Sequence, residues 1–334
     1  MTLRVLTAGP GVTVQDIGRP GYLDIGLGRG GAMDRQALIE GAALLGQSAE
    51  LAALEMAGFG AEFGVEADVV IALTGASMRV SCDGVPLAWA TSHQLRRGQT
   101  VSIGAAIAGN YGYLHLAGGI DAPLRLGARA VHLAAGLGVP IQSGDLIAAG
   151  QSQSDGTANL TLEAPDRFRG GELRILATAQ TAAFSAPMRA RLARTQFSRD
   201  PRSNRQAIRL AFEGDGFAAA SGLSVLSEVT QPGDIQVTGD GQPLILMAEA
   251  QTTGGYPRIA TILPCDLPRA AQAPAGAAMR LRWIGLDEGL AAERQSAEAL
   301  PAIRPLLRDP KDMSDLLSFG LIDGVVDGRE RNER

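Results

Sequence analysis

Residues 68–116 read DVVIALTGASMRVSCDGVPLAWATSHQLRRGQTVSIGAAIAGNYGYLHL. Within this stretch the runs 68–73, 78–81, 100–103 and 111–116 are short, β-branched or alternating, and bounded by Gly, Asp or Pro, so each reads as a strand. The turn signals Asp83-Gly84, Arg97-Gly98 and, further on, Ser143-Gly144-Asp145 recur at spacings too short for a helix between strands, which excludes repeated βαβ units. A barrel or sandwich is the expected architecture. Towards the N-terminus, 3–6 and 12–14 are strands, followed by a Gly-rich passage and a helix over 33–45. The apolar side of that helix is Met33, Ala37, Leu38, Leu44 and Leu45. Towards the C-terminus, the polar stretch 150–170 reads as a linker. A second β-rich block begins at 173–176, has a helical interruption near 181–193, and continues with strands at 207–212, 235–237, 244–248 and 279–283, ending near Ile284. The Ala- and Glu-rich run 289–300 predicts a C-terminal helix, and 329–334 a frayed charged tail.

Composition removes several function classes. Of 334 residues 43 are Gly, while Phe, Tyr and Trp number 8, 4 and 2, so tight turns are plentiful and stacking platforms for bases are few. A net charge of −5 without long runs offers no footprint for a phosphate backbone, so nucleic acid is not an expected partner. No signal-peptide pattern and no stretch of ~18 apolar residues is present, so neither a membrane span nor export is expected, and the expected location is cytoplasmic. Cys82 and Cys265 stand far apart without a CxxC, which predicts buried thiols rather than a disulfide or zinc site. The single lysine, Lys311, lies in Asp-Pro-Lys-Asp, which rules out a Walker A loop, a biotin-carrying lysine and a central Schiff base in this chain.

The motifs divide into those that fail on context and those that survive. Gly26-Leu27-Gly28-Arg29-Gly30-Gly31 satisfies GxGxxG, but the preceding strand is too short and no acidic strand end follows the helix, so dinucleotide binding is not expected. What it retains is a set of backbone N–H groups from Gly31 to Met33 at a helix N-terminus, a seat for a carboxylate or phosphate. His93, His115 and His132 lack metal-ligand spacing and read as structural, and Ser185, Ser221 and Ser224 lack a nucleophile elbow. The densest polar passage is Gln251-Thr252-Thr253-Gly254-Gly255-Tyr256-Pro257-Arg258. There a Gly-Gly turn lets backbone approach a ligand while an amide, two hydroxyls, a phenol and a guanidinium converge on it. As a plain turn it would instead pair Arg258 with Glu249. Two further polar clusters are Thr13, Gln15, Asp16 and Arg19, and Ser203-Asn204-Arg205.

With these passages the chain resembles the family of C-type 5-oxoprolinase subunits, also described as biotin-dependent carboxyltransferase, allophanate hydrolase subunit 2-like or Kip-inhibitor antagonist. The resemblance rests on AGPGVTVQDIGRPGY (8–22), GGAMD (30–34), AALE (52–55), IALTGA (71–76), YLHLAGGID (113–121), SNR (203–205) and, most specifically, QTTGGYPRIAT (251–261), in family order over about 1–285. It implies a mainly β protein of two cyclophilin-like β-barrel modules with short helices: 1–160, 170–285 carrying QTTGGYPR, and a helical or flexible extension at 286–334. It implies a B-type sister subunit of related fold, a third, A-type subunit, and ATP-dependent opening of 5-oxoproline to glutamate by the assembly, with this chain inactive alone. An alternative is a carboxyltransferase subunit acting on a urea-like or amide substrate with biotin from another protein. A second alternative is a non-catalytic regulatory binding protein. The family's acidic residue followed by Arg before QTTGGY is Glu249-Ala250 here, two helix asparagines are replaced by Ala42 and Gln47, and Ser203-Asn204-Arg205 continues as Gln206-Ala207, which marks a divergent branch.

On this basis Gln251, Thr252, Thr253 and Tyr256 are expected to polarise an amide carbonyl, with Asp16 and Asp34 as acting acids. Gln15, Arg19, Gly31, Met33, Asn204, Arg205, Glu249, Gly254, Gly255 and Arg258 are expected to bind substrate, Arg258 or Arg205 holding its carboxylate. Pockets form where modules meet, so Gln15, Asp16, Met33 and Asp34 are expected to face the 251–258 loop across one cleft, with 285–334 packed outside it against the sister subunit.

Overall fold

The computed structural model describes residues 2–151, 156–163, 166–219 and 226–307. The first half forms a nine-stranded antiparallel half-barrel sheet whose main path runs Thr13–Gln15, Ala53–Ala57, Thr100–Leu116, Ala61–Val65, Thr2–Ala8 and Leu146–Ala148. The strand Val69–Cys82 pairs along most of its length with Thr100–Leu116 and also with Ser92–Leu95. Runs that read as two strands each in the sequence, 68–73 with 78–81 and 100–103 with 111–116, are therefore two long strands. Their ladder slips register between Gly75 and Val80. Gly75 is the reason: its φ is 69°, and a Cβ there would lie 2.4 Å from the Tyr111 carbonyl oxygen, so only glycine permits the bulge. The sheet's inner face buries Leu3, Val5, Phe63, Ile71, Leu73 and Leu114, among others.

The second half is a closed barrel in the order Gly171–Leu176, Arg258–Ile262, Asp234–Val237, Pro243–Leu246, Ala207–Ala211, Phe197–Arg199 and Ala278–Trp283, the last pairing parallel with the first. Its interior holds Leu173, Ile175, Phe197, Phe217, Ile235 and Ile259, all buried. Helix α1, Arg35–Leu45, starts two residues later than expected because Asp34 caps it, its Oδ1 accepting from the Ala37 N–H at 3.1 Å. The predicted apolar side of α1 is buried, and it is shared. Ala37 and Leu38 join the core that continues into the barrel, whereas Leu44 and Leu45 pack on Val70, Ala72 and Ala117 of the sheet side. The helical interruption is a 3₁₀ turn, Thr181–Ala183, and α2, Ala186–Arg194, capped by Ser185; Ser221 and Ser224 lie outside the described residues.

The sequence missed the strands Ala53–Ala57, Ala61–Val65, Ser92–Leu95, Leu146–Ala148, Phe197–Arg199 and Arg258–Ile262 and the short helix α3, Leu267–Gln272, each only three to six residues long and so with little room for periodicity to show. The C-terminal helix α4, Leu286–Ala299, packs through Gly289 on Leu176 and Leu263 of the barrel side, and Leu306–Leu307 pairs with Leu160–Thr161. Leu316 and Leu317 and the charged tail lie outside the described residues. The predicted linker is not merely a solvated tether, because Arg167 within it is buried. No helix among the described residues is long and apolar enough to cross a membrane.

Candidate active site

Two polar networks join sheet, α1 and barrel, and they take in Asp34, Arg205 and Glu249 of the charged residues singled out above. In the first, Glu55 of Ala53–Ala57 accepts through Oε2 from the Met33 N–H at 2.8 Å and from the Tyr113 hydroxyl at 2.6 Å, and pairs through Oε1 with Arg205. Arg205 also donates to Glu249 Oε1 at 2.6 Å and to the Gly31 carbonyl at 2.8 Å, while Glu249 Oε2 accepts from the Ala134 N–H at 3.1 Å. In the second, Asp34 Oδ2 accepts from Arg167 Nε at 2.7 Å and Gln272 Nε2 at 2.8 Å, and Arg167 clasps Glu40 through both terminal nitrogens at 2.7 and 2.8 Å. These charges are tolerable in the interior because each carboxylate meets a guanidinium or several N–H groups. Burial pushes the Tyr113 hydroxyl upward, reinforced by Glu55 and Asp34, so it stays a neutral donor.

Several expected roles are corrected by this geometry. Asp34 is fully buried with both carboxylate oxygens engaged, and Asp16 is bound by the Gly18 and Arg129 N–H groups at 2.8 and 2.6 Å, so both carboxylates are fixed inside the fold rather than turned to a substrate. The helix N-terminus expected to seat an anion is filled from within: Ala32 N–H goes to the Asp16 carbonyl, Met33 N–H to Glu55 and Asp34 N–H to the Tyr113 hydroxyl. Neither arginine proposed for a substrate carboxylate is free for that role. Arg205 is engaged as above, and Arg258 pairs with Glu228 and with Asp234 at 3.2 Å, not with Glu249. Gln15 is buried on Thr13 and the Val131 carbonyl, and Asn204 closes its own turn on the Gln206 and Ala207 N–H groups.

A cleft does lie between the two halves. One part, about 220 Å³, has Arg19, Tyr22 and Gly28 on the N-terminal side and Thr230, Gln251 and Thr252 on the barrel side. An adjoining part, about 230 Å³, shares Arg29, Gln231, Pro232 and Ala248 with it and reaches Met33 and Leu267. Of the predicted set the structure thus brings Arg19, Met33, Gln251 and Thr252 to the cleft. Thr253 sits in a two-residue ribbon with Val229, Gly254 packs where a Cβ would be 2.4 Å from Gln236 Nε2, and Tyr256 is 45% exposed. Gly254 belongs to that ribbon rather than to a turn, and Gly31, with φ of 85°, lets residues 29–32 close on 16–19. Glycines 26, 28 and 30 thus form a strap rather than a nucleotide loop.

Residues the sequence did not single out complete the site's support, Arg167, Glu40, Tyr113 and Gln272, together with His132, which it reads only as structural. Glu55 was visible as the last residue of AALE, but nothing in sequence gave it partners. His132 caps a 3₁₀ turn, its Nδ1 accepting from the Ala135 N–H at 3.2 Å, and burial pushes its pKa down against the opposing pull of Glu249, so the ring is neutral with its proton on Nε2.

Residues 25–283 match the family model described as carboxyltransferase domain, subdomain A and B. The chain is 33% identical to the C-type subunit of 5-oxoprolinase from Haemophilus influenzae over 88% of its own length and 95% of that protein, and 31% identical to its Escherichia coli counterpart over 87% and 94%. It superposes on 20% of the Kluyveromyces lactis urea amidolyase crystal structure, covering 94% of this chain with a TM-score of 0.82, at 21% identity, a likeness in fold.

Proposed function

This chain belongs to the carboxyltransferase-domain family that includes the C-type subunits of 5-oxoprolinase, and from that premise we propose that it is itself the C-type subunit of an ATP-dependent 5-oxoprolinase, opening 5-oxoproline to glutamate with a B-type sister and a third, A-type subunit. The observation that carries this reading is coverage: the match spans nearly the whole of proteins named as that 5-oxoprolinase subunit, and only 7% of the urea amidolyase of Saccharomyces cerevisiae. The cleft supports it chemically. Opening a lactam requires donors at the amide oxygen as charge develops there, and Gln251 and Thr252 present an amide and a hydroxyl on the barrel wall. ATP supplies the driving force in this reading. The glycine strap closes on residues 16–19 and the following helix end is filled by Glu55, so that segment is not the seat of its phosphates.

The test is co-expression with the sister and third subunits. Glutamate should be released from 5-oxoproline only when ATP and all subunits are present, and Thr252→Val with Gln251→Ala should lower the rate by about 10²-fold. No turnover by the complete assembly refutes the reading. A second reading, favoured by the carboxyltransferase description of the family model, is carboxyl transfer from biotin carried on another chain to a urea-like or amide nitrogen. In that case the same donors steady the ureido oxygen of biotin, and calorimetry with biotin decides: binding in the cleft supports it, none at millimolar concentration removes it.

A further inference from the structure

Two buried hydrogen-bond donors beside the cleft have no partner among the described residues: Arg19 Nη1 and His132 Nε2. The residues are 1% and 4% exposed. The rest of each side chain is firmly held. Arg19 donates through Nε to the Arg125 carbonyl at 3.3 Å and through Nη2 to the Ala130 carbonyl, and His132 is fixed through Nδ1 on the Ala135 N–H. The two free N–H groups are therefore aimed, not mobile. Both face the glycine strap: a Cβ on Gly30 would lie 3.4 Å from Arg19 Nη1 and 3.0 Å from His132 Cδ2. A Cβ on Gly28 would lie 3.9 Å from His132 Nε2, 3.7 Å from the Thr252 methyl carbon and 3.5 Å from the Ala250 carbonyl oxygen. His132 Nε2 thus lies directly behind Gly28, which lines the cleft together with Arg19 and Thr252.

Leaving a buried donor unpaired is costly, the more so for a charged group, and neither donor supports the fold through that atom. The neighbouring carboxylates do not serve them: Asp16 is bound by backbone N–H groups and Glu249 by Arg205 and the Ala134 N–H, with His132 Nδ1 3.9 Å away. One cationic and one neutral N–H held behind the same glycine strap suit a planar carboxylate. We propose that Arg19 Nη1 and His132 Nε2 form the carboxylate subsite of the cleft, holding a small acid whose body lies against Gly28 and Thr252. The carboxylate of 5-oxoproline is the occupant that follows from the proposed function, and this identification rests on that reading, whereas the subsite itself does not.

The experiment uses the full chain labelled with ¹⁵N-histidine, titrated with acetate, 5-oxoproline and 2-pyrrolidone, which lacks the carboxylate. Affinities are measured in parallel by calorimetry. Acetate and 5-oxoproline should shift the His132 Nε2–H resonance, and 2-pyrrolidone should not. Gly28→Ala sets a methyl between His132 Nε2 and the Thr252 methyl carbon at ordinary contact distances, from a backbone outside the left-handed region, so it should fold as the parent does yet bind either acid at least about tenfold more weakly. His132→Asn keeps an acceptor for the Ala135 N–H while its shorter amide does not reach the position of Nε2, so it should weaken binding of both acids about tenfold without changing the response to 2-pyrrolidone. If acetate binds and 5-oxoproline does not, the subsite stands and the 5-oxoprolinase reading falls. If neither acid moves the resonance at high millimolar concentration, or if both bind Gly28→Ala and His132→Asn as tightly as the parent, the subsite is refuted.

Discussion

Replacing Arg167 by methionine removes the cation that holds two buried carboxylates at the junction of α1, the sheet and the barrel. Asp34 is fully buried and Glu40 is 5% exposed, and Arg167 makes one bond of 2.7 Å to the first and a bidentate pair at 2.7 and 2.8 Å to the second. Methionine fills much of the same volume, so the loss is electrostatic, and removing one partner of a buried pair costs about 3–5 kcal/mol. That is a large share of the ~5–15 kcal/mol by which a typical domain is stable. The effect carries a pH signature. Burial pushes the Glu40 carboxyl upward and Arg167 pulls it down, so in the variant it rises further. A carboxyl whose folded pKa exceeds its unfolded value binds more protons when folded, and such a group loses stability as pH rises through the folded pKa. The variant's deficit should therefore be greatest above neutrality and shrink towards about pH 5. Arg167→Lys keeps one charge but cannot clasp Glu40 with two nitrogens while reaching Asp34, so it should lose about half as much. Urea unfolding of the three proteins at the two pH values measures this. A deficit below about 1 kcal/mol, or one independent of pH, would show that residue 167 is the solvated tether its sequence context suggests.

Gln272 uses both ends of its amide, accepting from the Asn110 and Tyr111 N–H groups and donating to Asp34 and the Tyr111 carbonyl, so Gln272→Leu should cost about 3 kcal/mol or more by urea unfolding; a loss under 1 kcal/mol would count against an interface role. His115 is buried on Thr74 with its pKa pushed down to about 3 by burial, so its imidazole should not titrate by NMR between about pH 5 and 8. Because the unfolded chain takes up that proton near pH ~6.5, His115 should erode stability by up to ~1.4 kcal/mol per unit as pH falls below this, and a titration midpoint above about pH 5 contradicts the burial argument. Burial pushes the Cys82 thiol to about 11 and the Cys265 thiol to about 12, so both should resist iodoacetamide in the native protein at neutral pH; rapid alkylation of either would contradict its described surroundings.

Much of the fold was written locally. Alternation and turn chemistry identify strands, and the apolar face of α1 is legible in Met33, Ala37, Leu38, Leu44 and Leu45, because backbone periodicity and side-chain polarity act over a few residues. The family passages likewise lie in the chain in plain order. What the sequence could not reveal is which partner each polar side chain meets. Arg258 looked matched to Glu249 nine positions away, yet Glu249 meets Arg205 across 44 positions and Arg205 meets Glu55 across 150. Arg167 looked like part of a tether, and His132 like a structural histidine. A charged group in sequence is equally consistent with solvent, a buried pair or a ligand, since its energy depends on the dielectric and the donors around it, and those are assembled only when sheet, helix and barrel close on one another. The sequence therefore determined strands, helix faces and family. Folding within each half decided that Asp16 and Arg258 are engaged there, the closing of the two halves decided that Asp34 and Arg205 are, and Arg19 and His132 each keep one N–H free beside the cleft.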